Sequence, residues 1–185
     1  MIQETIVTTI DDVGKPHIAP MGVHLQAGGG IAILPFKPSL TLSNLLATRA
    51  AVINYCDDVR IFAGCLTGRR DWPLSPAEKI KGYFLSAALA HAELELRQVE
   101  DDPVRPRLIC IPIHNVNHAP FQGFNRAQHS VLEAAILVSR LGRLPWDKIN
   151  SELEYLRIGL EKTAGEREWQ AWSWLMELIE HYRSN

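Results

Sequence analysis

Cysteine is scarce in this 185-residue chain: three residues, Cys56, Cys65 and Cys110, with no CxxC spacing between any of them. An odd count without paired spacing argues against a disulfide framework. All three lie in apolar contexts with no legible neighbouring cation, so they read as buried small hydrophobes and not as reactive thiols. Charge of one sign is lacking as well. The 19 basic and 21 acidic residues leave a formal net charge of −2, and no basic field is on offer to nucleic acid or to an anionic membrane surface. No apolar run approaches the ~20 residues that cross a bilayer. The chain opens on a strand pattern and not on a basic, apolar leader, from which a cytoplasmic location is expected.

Several catalytic signatures are also missing. The triple glycine at 28–30 has neither the GxGxxG spacing nor the following helix of a dinucleotide fold, and no GKS or GKT phosphate loop occurs. No GxSxG elbow or Ser/His/Asp arrangement can be argued from spacing, and a hydrolase is not expected. Of seven histidines, only His114 and His118 are close in sequence. A strand before His114 and Pro120 after the pair place both in a loop with no third ligand, so no metal site is expected.

What is present begins with a meander. The length suffices for one sizeable core, or for a main domain with an appendage. Residues 1–10 alternate polar and apolar, 11–15 form a turn-rich break, and 17–25 are a second extended run. A third strand is expected at 31–36, a short helix at 41–48, a fourth strand at 51–56 and a fifth at 59–65.

The crossing from the third strand into the short helix is suited to an anion. Pro35 and Pro38 stiffen it, Ser39 or Thr41 can serve as N-cap, and the first helical turn offers N–H groups that the helix cannot satisfy. Lys37 adds a cation, so a phosphate would meet dipole, donors and counter-charge together. An ordinary capped helix after a strand is the plainer reading of the same residues.

The second half changes period. Ser75 with Glu78 three positions on resembles a capping box and predicts a helix to about Gly82. Ala92, Leu94 and Leu96 alternate with Glu93, Glu95 and Arg97, which predicts a strand with its charged face in water. Residues 108–113 form a buried strand in which Pro112 signals an edge or a bulge. From Asn125 onward the spacing is helical. Val131, Leu132, Ala135, Ile136 and Val138 load a first helix; Ile149, Leu153, Leu156 and Leu160 load a second, which stops near Gly165; Trp169, Trp172, Met176 and Ile179 load a third. Trp169 and Trp172 are expected in its core, with Trp174 about 200° round from Trp172 on another face. Arg126 sits in the first turn of the first of these helices, where a cation opposes the dipole unless an anion is near. It is therefore a candidate second clamp, whereas Arg69 and Arg70 beside Asp71 read as surface ion pairs.

The strings ETIVTT, HIAPMGV, PFKPSLTLSNL, AGCLTGRRDWP, GFNRAQ and EKTAG, spread over nearly the whole chain, resemble domain-of-unknown-function family 447, within the flavin-reductase-like FMN-binding split-barrel superfamily. The resemblance implies an α+β fold: a mainly antiparallel split β-barrel over residues 1–120, and a C-terminal helical region over 121–185 packed on the barrel or on a dimer partner. It implies FMN as cofactor, a homodimer, and a small-molecule redox substrate, with no nucleic acid and no membrane as partner. Carried over, Lys37, Ser39 and Thr41 would hold the phosphate, and His17, Ala19, Pro20, Met21 and Gly22 would line the isoalloxazine. Asn44 and Asn54 would add side-chain contacts, with Arg126 as the extra clamp. Glycine and proline leave little bulk on that strand, and methionine suits contact with an aromatic ring. Met21 and Ile18 fit a plain core role too, and His17 can equally be a turn residue facing solvent. No catalytic acid or base stands out. The resemblance therefore implies an FMN-dependent oxidoreductase of unknown substrate. The alternative is a non-catalytic protein that binds FMN or another phosphorylated ligand, linked through the family's occurrence to tetrahydromethanopterin one-carbon metabolism.

Overall fold

The computed structural model describes residues 1–184. Strands β1 (Ile2–Ile10) and β2 (Pro16–Leu25) form a hairpin. Its turn is locked by Asp11, whose Oδ1 accepts the N–H of Val13 at 3.1 Å and of Lys15 at 2.7 Å, as an aspartate at a turn start commonly does. Then follow β3 (Ile31–Ile33), helix α1 (Leu40–Thr48), β4 (Ala50–Tyr55), α2 (Arg60–Leu66), β5 (Leu74–Pro76), β6 (Tyr83–Leu85), β7 (Ala90–Glu100) and β8 (Arg107–Asn117). Three helices complete the chain: α3 (Arg126–Val138), α4 (Trp146–Thr163) and α5 (Glu166–Ser184).

Six antiparallel strands close a barrel in the order β1-β2-β3-β8-β7-β4, with β4 returning to β1, while β5 and β6 pair separately. Val7, Val23, Ile33, Leu45, Ile53, Leu94, Leu96 and Leu108 fill its core. The α+β fold with a C-terminal helical region is the one expected. The barrel is split because β3 is short. It meets β2 only at His24 and Leu25, so residues 19–23 have β1 as their one strand partner.

Several elements differ from expectation. β3 ends at Ile33, three residues early: the Leu34 carbonyl accepts the Arg105 guanidinium at 3.0 Å, and Pro35 has no N–H to continue a ladder. Where a strand is expected at 59–65 the chain forms the helix Arg60–Leu66 instead, with the Asp58 carboxylate accepting the Arg60 N–H at 3.1 Å at its start. The helix expected at 75–82 is instead the β5–β6 hairpin. Its tip gives the N–H groups of Glu78, Lys79 and Ile80 to Glu93, at 2.7, 2.7 and 2.9 Å, so a distant carboxylate takes the donors a capping box would have used. Strand β8 runs on to Asn117, which puts His114 in a strand and not in a loop. The irregularity signalled by Pro112 is a bulge, where Glu93 pairs with His114 and Leu94 with Pro112.

Two compact units result, residues 1–56 with 72–121 and residues 57–71 with 122–185. In the second, Asn125 caps α3 by accepting from Ala127 at 2.7 Å and from Gln128 at 3.3 Å. Val131, Leu160, Trp172, Leu175 and Ile179 form its core. Helices α3 and α4 approach closely at Gly159, where an added Cβ would lie 2.8 Å from Ser130 Oγ. Trp172 is buried as expected, but Trp169 is 41% exposed and lies outside the core. Trp174 carries the Arg69 guanidinium 4.6 Å from its ring centroid.

Candidate functional site

The loop between β3 and α1 ends in a helix whose N-cap is Ser39. Its Oγ accepts the Leu42 N–H at 3.3 Å, which decides between the two capping candidates. The N–H groups of Leu40 and Thr41 have no acceptor within α1, and the first turn carries no acidic residue. Thr41 itself is buried. The Lys37 backbone N–H is fixed by the Val104 carbonyl at 2.9 Å, and its ammonium pairs with Asp101 and holds that carboxyl below the usual carboxylate range. Asp101 is 82% exposed, so the pair is a weak competitor for any arriving anion. A second cation stands here that sequence reasoning missed: Arg105, from the β7–β8 loop, lies 4.5 Å over the Phe36 ring. Nothing in its local sequence announces this, because the contact joins the ends of the paired strands β3 and β8, which are far apart in the chain. Helix terminus, spare donors and two cations suit a phosphate, although Asp101 and Asp102 offset the positive charge.

Over residues 19–23 of β2, alternate residues turn their N–H and C=O groups away from β1. Ala19, Pro20, Met21 and Gly22 are all half-buried on this strand. The Met21 side chain packs on the barrel core, and its carbonyl accepts the Thr5 hydroxyl at 3.0 Å. The space left by the missing side chain of Gly22 is taken by β1, for an added Cβ would lie 3.0 Å from Ile2 Cγ2 and 3.2 Å from Glu4 Oε1. His17 pairs in register with Thr9, and Thr9 Oγ1 accepts the Asn44 amide at 3.0 Å. Lys37, Ser39, Thr41, Asn44 and His17 are thereby brought to one end of the barrel. A flat ring on the β2 edge with its phosphate at α1 fits this arrangement.

Two other candidates lie apart from this loop. Asn54 is fully buried; its amide donates to the Ile6 carbonyl at 3.0 Å and to Thr8 Oγ1 at 2.8 Å and accepts the Leu85 N–H at 2.7 Å, so both of its donors are used within the protein. Arg126 is exposed in the first turn of α3, in the helical unit.

A polar cluster on β7 was not legible in the sequence. Glu93, expected on a watery face, is 0% exposed. Besides its three backbone donors it lies 3.4 Å from His91 Nε2, and His91 Nδ1 lies 2.8 Å from His118 Nε2. Phe84 stacks on both imidazoles, at centroid distances of 4.2 and 4.9 Å. His114 stands edge-on to His91 at 6.4 Å and bonds Glu78 at 3.1 Å. The backbone donors and His91 hold Glu93 below the usual carboxylate range against the opposing effect of burial, while burial pushes His91 down. The one available signal was the i, i+2 spacing of His91 and Glu93, which puts both on one face of a strand. No group of three or more His, Cys, Asp or Glu among the described residues is arranged to hold a metal ion.

Two family models match the chain: the N-terminal domain of the protein of unknown function DUF447 over residues 3–119, and DUF447 over residues 125–177. No curated protein matches it in sequence. Among solved structures, an FMN-bound DUF447 protein of Methanosarcina mazei is similar over 96% of this chain and 94% of its own, at 20% identity and a TM-score of 0.80. The 2-nitrobenzoate 2-nitroreductase of Pseudomonas fluorescens is similar over 62% and 64% of the two chains, at 17% identity and a TM-score of 0.56. An FMN-binding protein of Thermus thermophilus is similar over 62% and 69%, at 17% identity and a TM-score of 0.52.

Proposed function

We propose that this chain, which belongs to the DUF447 family, is an FMN-binding flavoprotein and an oxidoreductase acting on a small molecule. The observation that carries the reading is the Ser39-capped helix, with Lys37 before it, at the end of a barrel whose strand β2 pairs over residues 19–23 with β1 and not with β3. The FMN-bound and FMN-binding proteins named above share this fold, which supports the choice of ligand.

Bound FMN would supply the hydride and electron chemistry. The chain's own residues bind and orient. Lys37 and the first N–H groups of α1 hold the phosphate, Ser39 fixes the helix terminus, and Thr41 lies beside it. His17 and the backbone of Ala19, Pro20, Met21 and Gly22 line the ring. Asn44 fixes α1 to β1, Asn54 fixes β4 to β1 and to Leu85, and Arg126 acts as a clamp only where a second subunit or a substrate meets α3. Residues 1–120 form the FMN-binding part and 121–185 the helical region of a cytoplasmic homodimer. The second reading is a carrier that holds FMN, or another phosphorylated ligand, without turnover.

The test is a fluorescence titration with FMN and with riboflavin, which lacks the phosphate. FMN is expected to bind at least tenfold more tightly, with the preference lost in the Lys37→Ala, Thr41→Ala double variant. Equal affinity for the two flavins, or none for either in folded protein, overturns the assignment. Reduction of bound FMN by NADH or NADPH then separates the enzyme from the carrier.

A further inference from the structure

Glu93, His91 and His118 form a hydrogen-bonded string that runs from a buried carboxylate to the surface. We propose that His118 is an acid–base residue, whose outward Nδ1 exchanges a proton with a hydroxyl-bearing small molecule in the adjoining recess. Glu93 and His91 act as positioning residues that hold it in the required tautomer. The proposal is independent of FMN binding.

The tautomers follow from donor and acceptor rules. An ionised carboxylate only accepts, so Glu93 requires the His91 proton on Nε2. Neutral His91 then has only a lone pair on Nδ1, and the 2.8 Å partner, His118 Nε2, must carry a proton. Neutral His118 is left with its basic lone pair on Nδ1, the atom not committed to the string. Glu93 cannot turn away, since three backbone N–H groups at 2.7 to 2.9 Å hold it. Phe84 keeps both imidazoles in nearly one plane, its ring tilted only 10° and 8° from theirs. The backbone of the outer residue is pinned as well, because the N–H groups of His118 and Ala119 both donate to the Leu89 carbonyl, at 2.8 and 3.0 Å.

A surface recess of about 480 Å³ lies at the outer end, lined by Asn117, His118, Ala119, Pro120 and Phe121. It offers an amide and the imidazole beside an aromatic ring, which suits a small molecule with one polar oxygen and an apolar body. The step is a proton transfer. The ligand O–H bond breaks as the His118 Nδ1–H bond forms; the positive charge is stabilised through His91 by Glu93; the reverse step returns the proton, and no electrons are exchanged. The other ionisable groups around the string are His114, edge-on to His91, Glu78, bonded to His114, and Lys79, paired with Glu78 at 2.8 Å. Register relates the string to β2: Pro20, Ile6, Asn54 and His91 stand on adjacent strands in one row. Three strand spacings make that separation about 14 Å.

The test is nitrogen-15 NMR of the histidine side chains at pH 8. In the intact protein both His91 and His118 are expected to carry the proton on Nε2. A predominant Nδ1–H form of His118 overturns the proposal. Glu93→Gln can donate to His91 Nε2 and is expected to reverse the string, moving the His118 proton to Nδ1; an unchanged tautomer in folded variant overturns the positioning role. Should that variant fail to fold, the tautomers of the unaltered protein still decide. Phenol, added as probe, is expected to shift His118 Nδ1 and the Asn117 and Ala119 amides saturably. No shift overturns the assignment of the recess.

Discussion

Glu93 accepts the backbone N–H of Lys79 at 2.7 Å, although the two residues lie on different β-hairpins. The same carboxylate holds Glu78 and Ile80, so one fully buried side chain fixes the tip of the β5–β6 hairpin and one end of the histidine string. A buried charge is tolerated only with such saturation by donors.

Removing that charge is therefore costly. Glu93→Gln turns an NH2 toward backbone donors and is expected to lose roughly 3 kcal/mol, the scale for breaking a buried charge-assisted network. Urea unfolding followed by tryptophan fluorescence measures it, and a loss under about 1 kcal/mol would show that the tip is held by other contacts.

Acidification should destabilise the fold in two stages. His91 lies below its ordinary value of 6.5 and Glu93 below its ordinary value of 4.5, so in both cases the unfolded state takes up protons first. Their contributions are complete above those ordinary values. The His91 share is lost as pH falls below 6.5 and the Glu93 share as it falls below 4.5. Stability measured from pH 8 to pH 4 should hold level down to about pH 6.5 and fall below it, and Glu93→Gln should flatten the lower part of the curve.

The two asparagines should behave unequally. Asn54→Ala leaves the Leu85 N–H and the Ile6 carbonyl without their partner in a site closed to solvent, at a cost of roughly 2 to 4 kcal/mol. Asn44→Ala loses a single bond to Thr9 and should cost about 1 kcal/mol. Parallel urea titrations compare them.

At the phosphate loop, stability and binding should separate. Ser39→Ala removes the cap of α1 and should cost about 1 kcal/mol. Lys37→Ala breaks only an exposed pair and should leave the melting temperature nearly unchanged, yet weaken FMN binding about tenfold, the equivalent of ~1.4 kcal/mol. Calorimetry with and without FMN distinguishes the two effects.

In the helical unit, Gly159→Ala drives a methyl group toward Ser130 Oγ, which is tied to the Leu156 carbonyl at 2.8 Å. Overpacking of this kind should cost about 1 to 3 kcal/mol. Adding Ser130→Ala should restore part of the loss, and a double-mutant cycle reads the coupling.

The sequence by itself determined the parts whose information is local. Alternation placed β1 and β2, the spacing of apolar residues placed α3 and α4, and the residue preferences of caps narrowed the start of α1 to Ser39 or Thr41. The family strings added the barrel. Tertiary structure decided what depends on residues far apart in the chain. Local signals could not show that Glu93 would take the donors of residues 78–80, that Asp58 and its surroundings would make 60–66 a helix, or that Arg105 would stand over Phe36. The physical reason is the same in each case. A polar group is satisfied by the nearest partner in space, and only the tertiary fold brings Glu93 to the 78–80 turn, as only the pairing of β7 with β8 brings His118 to His91.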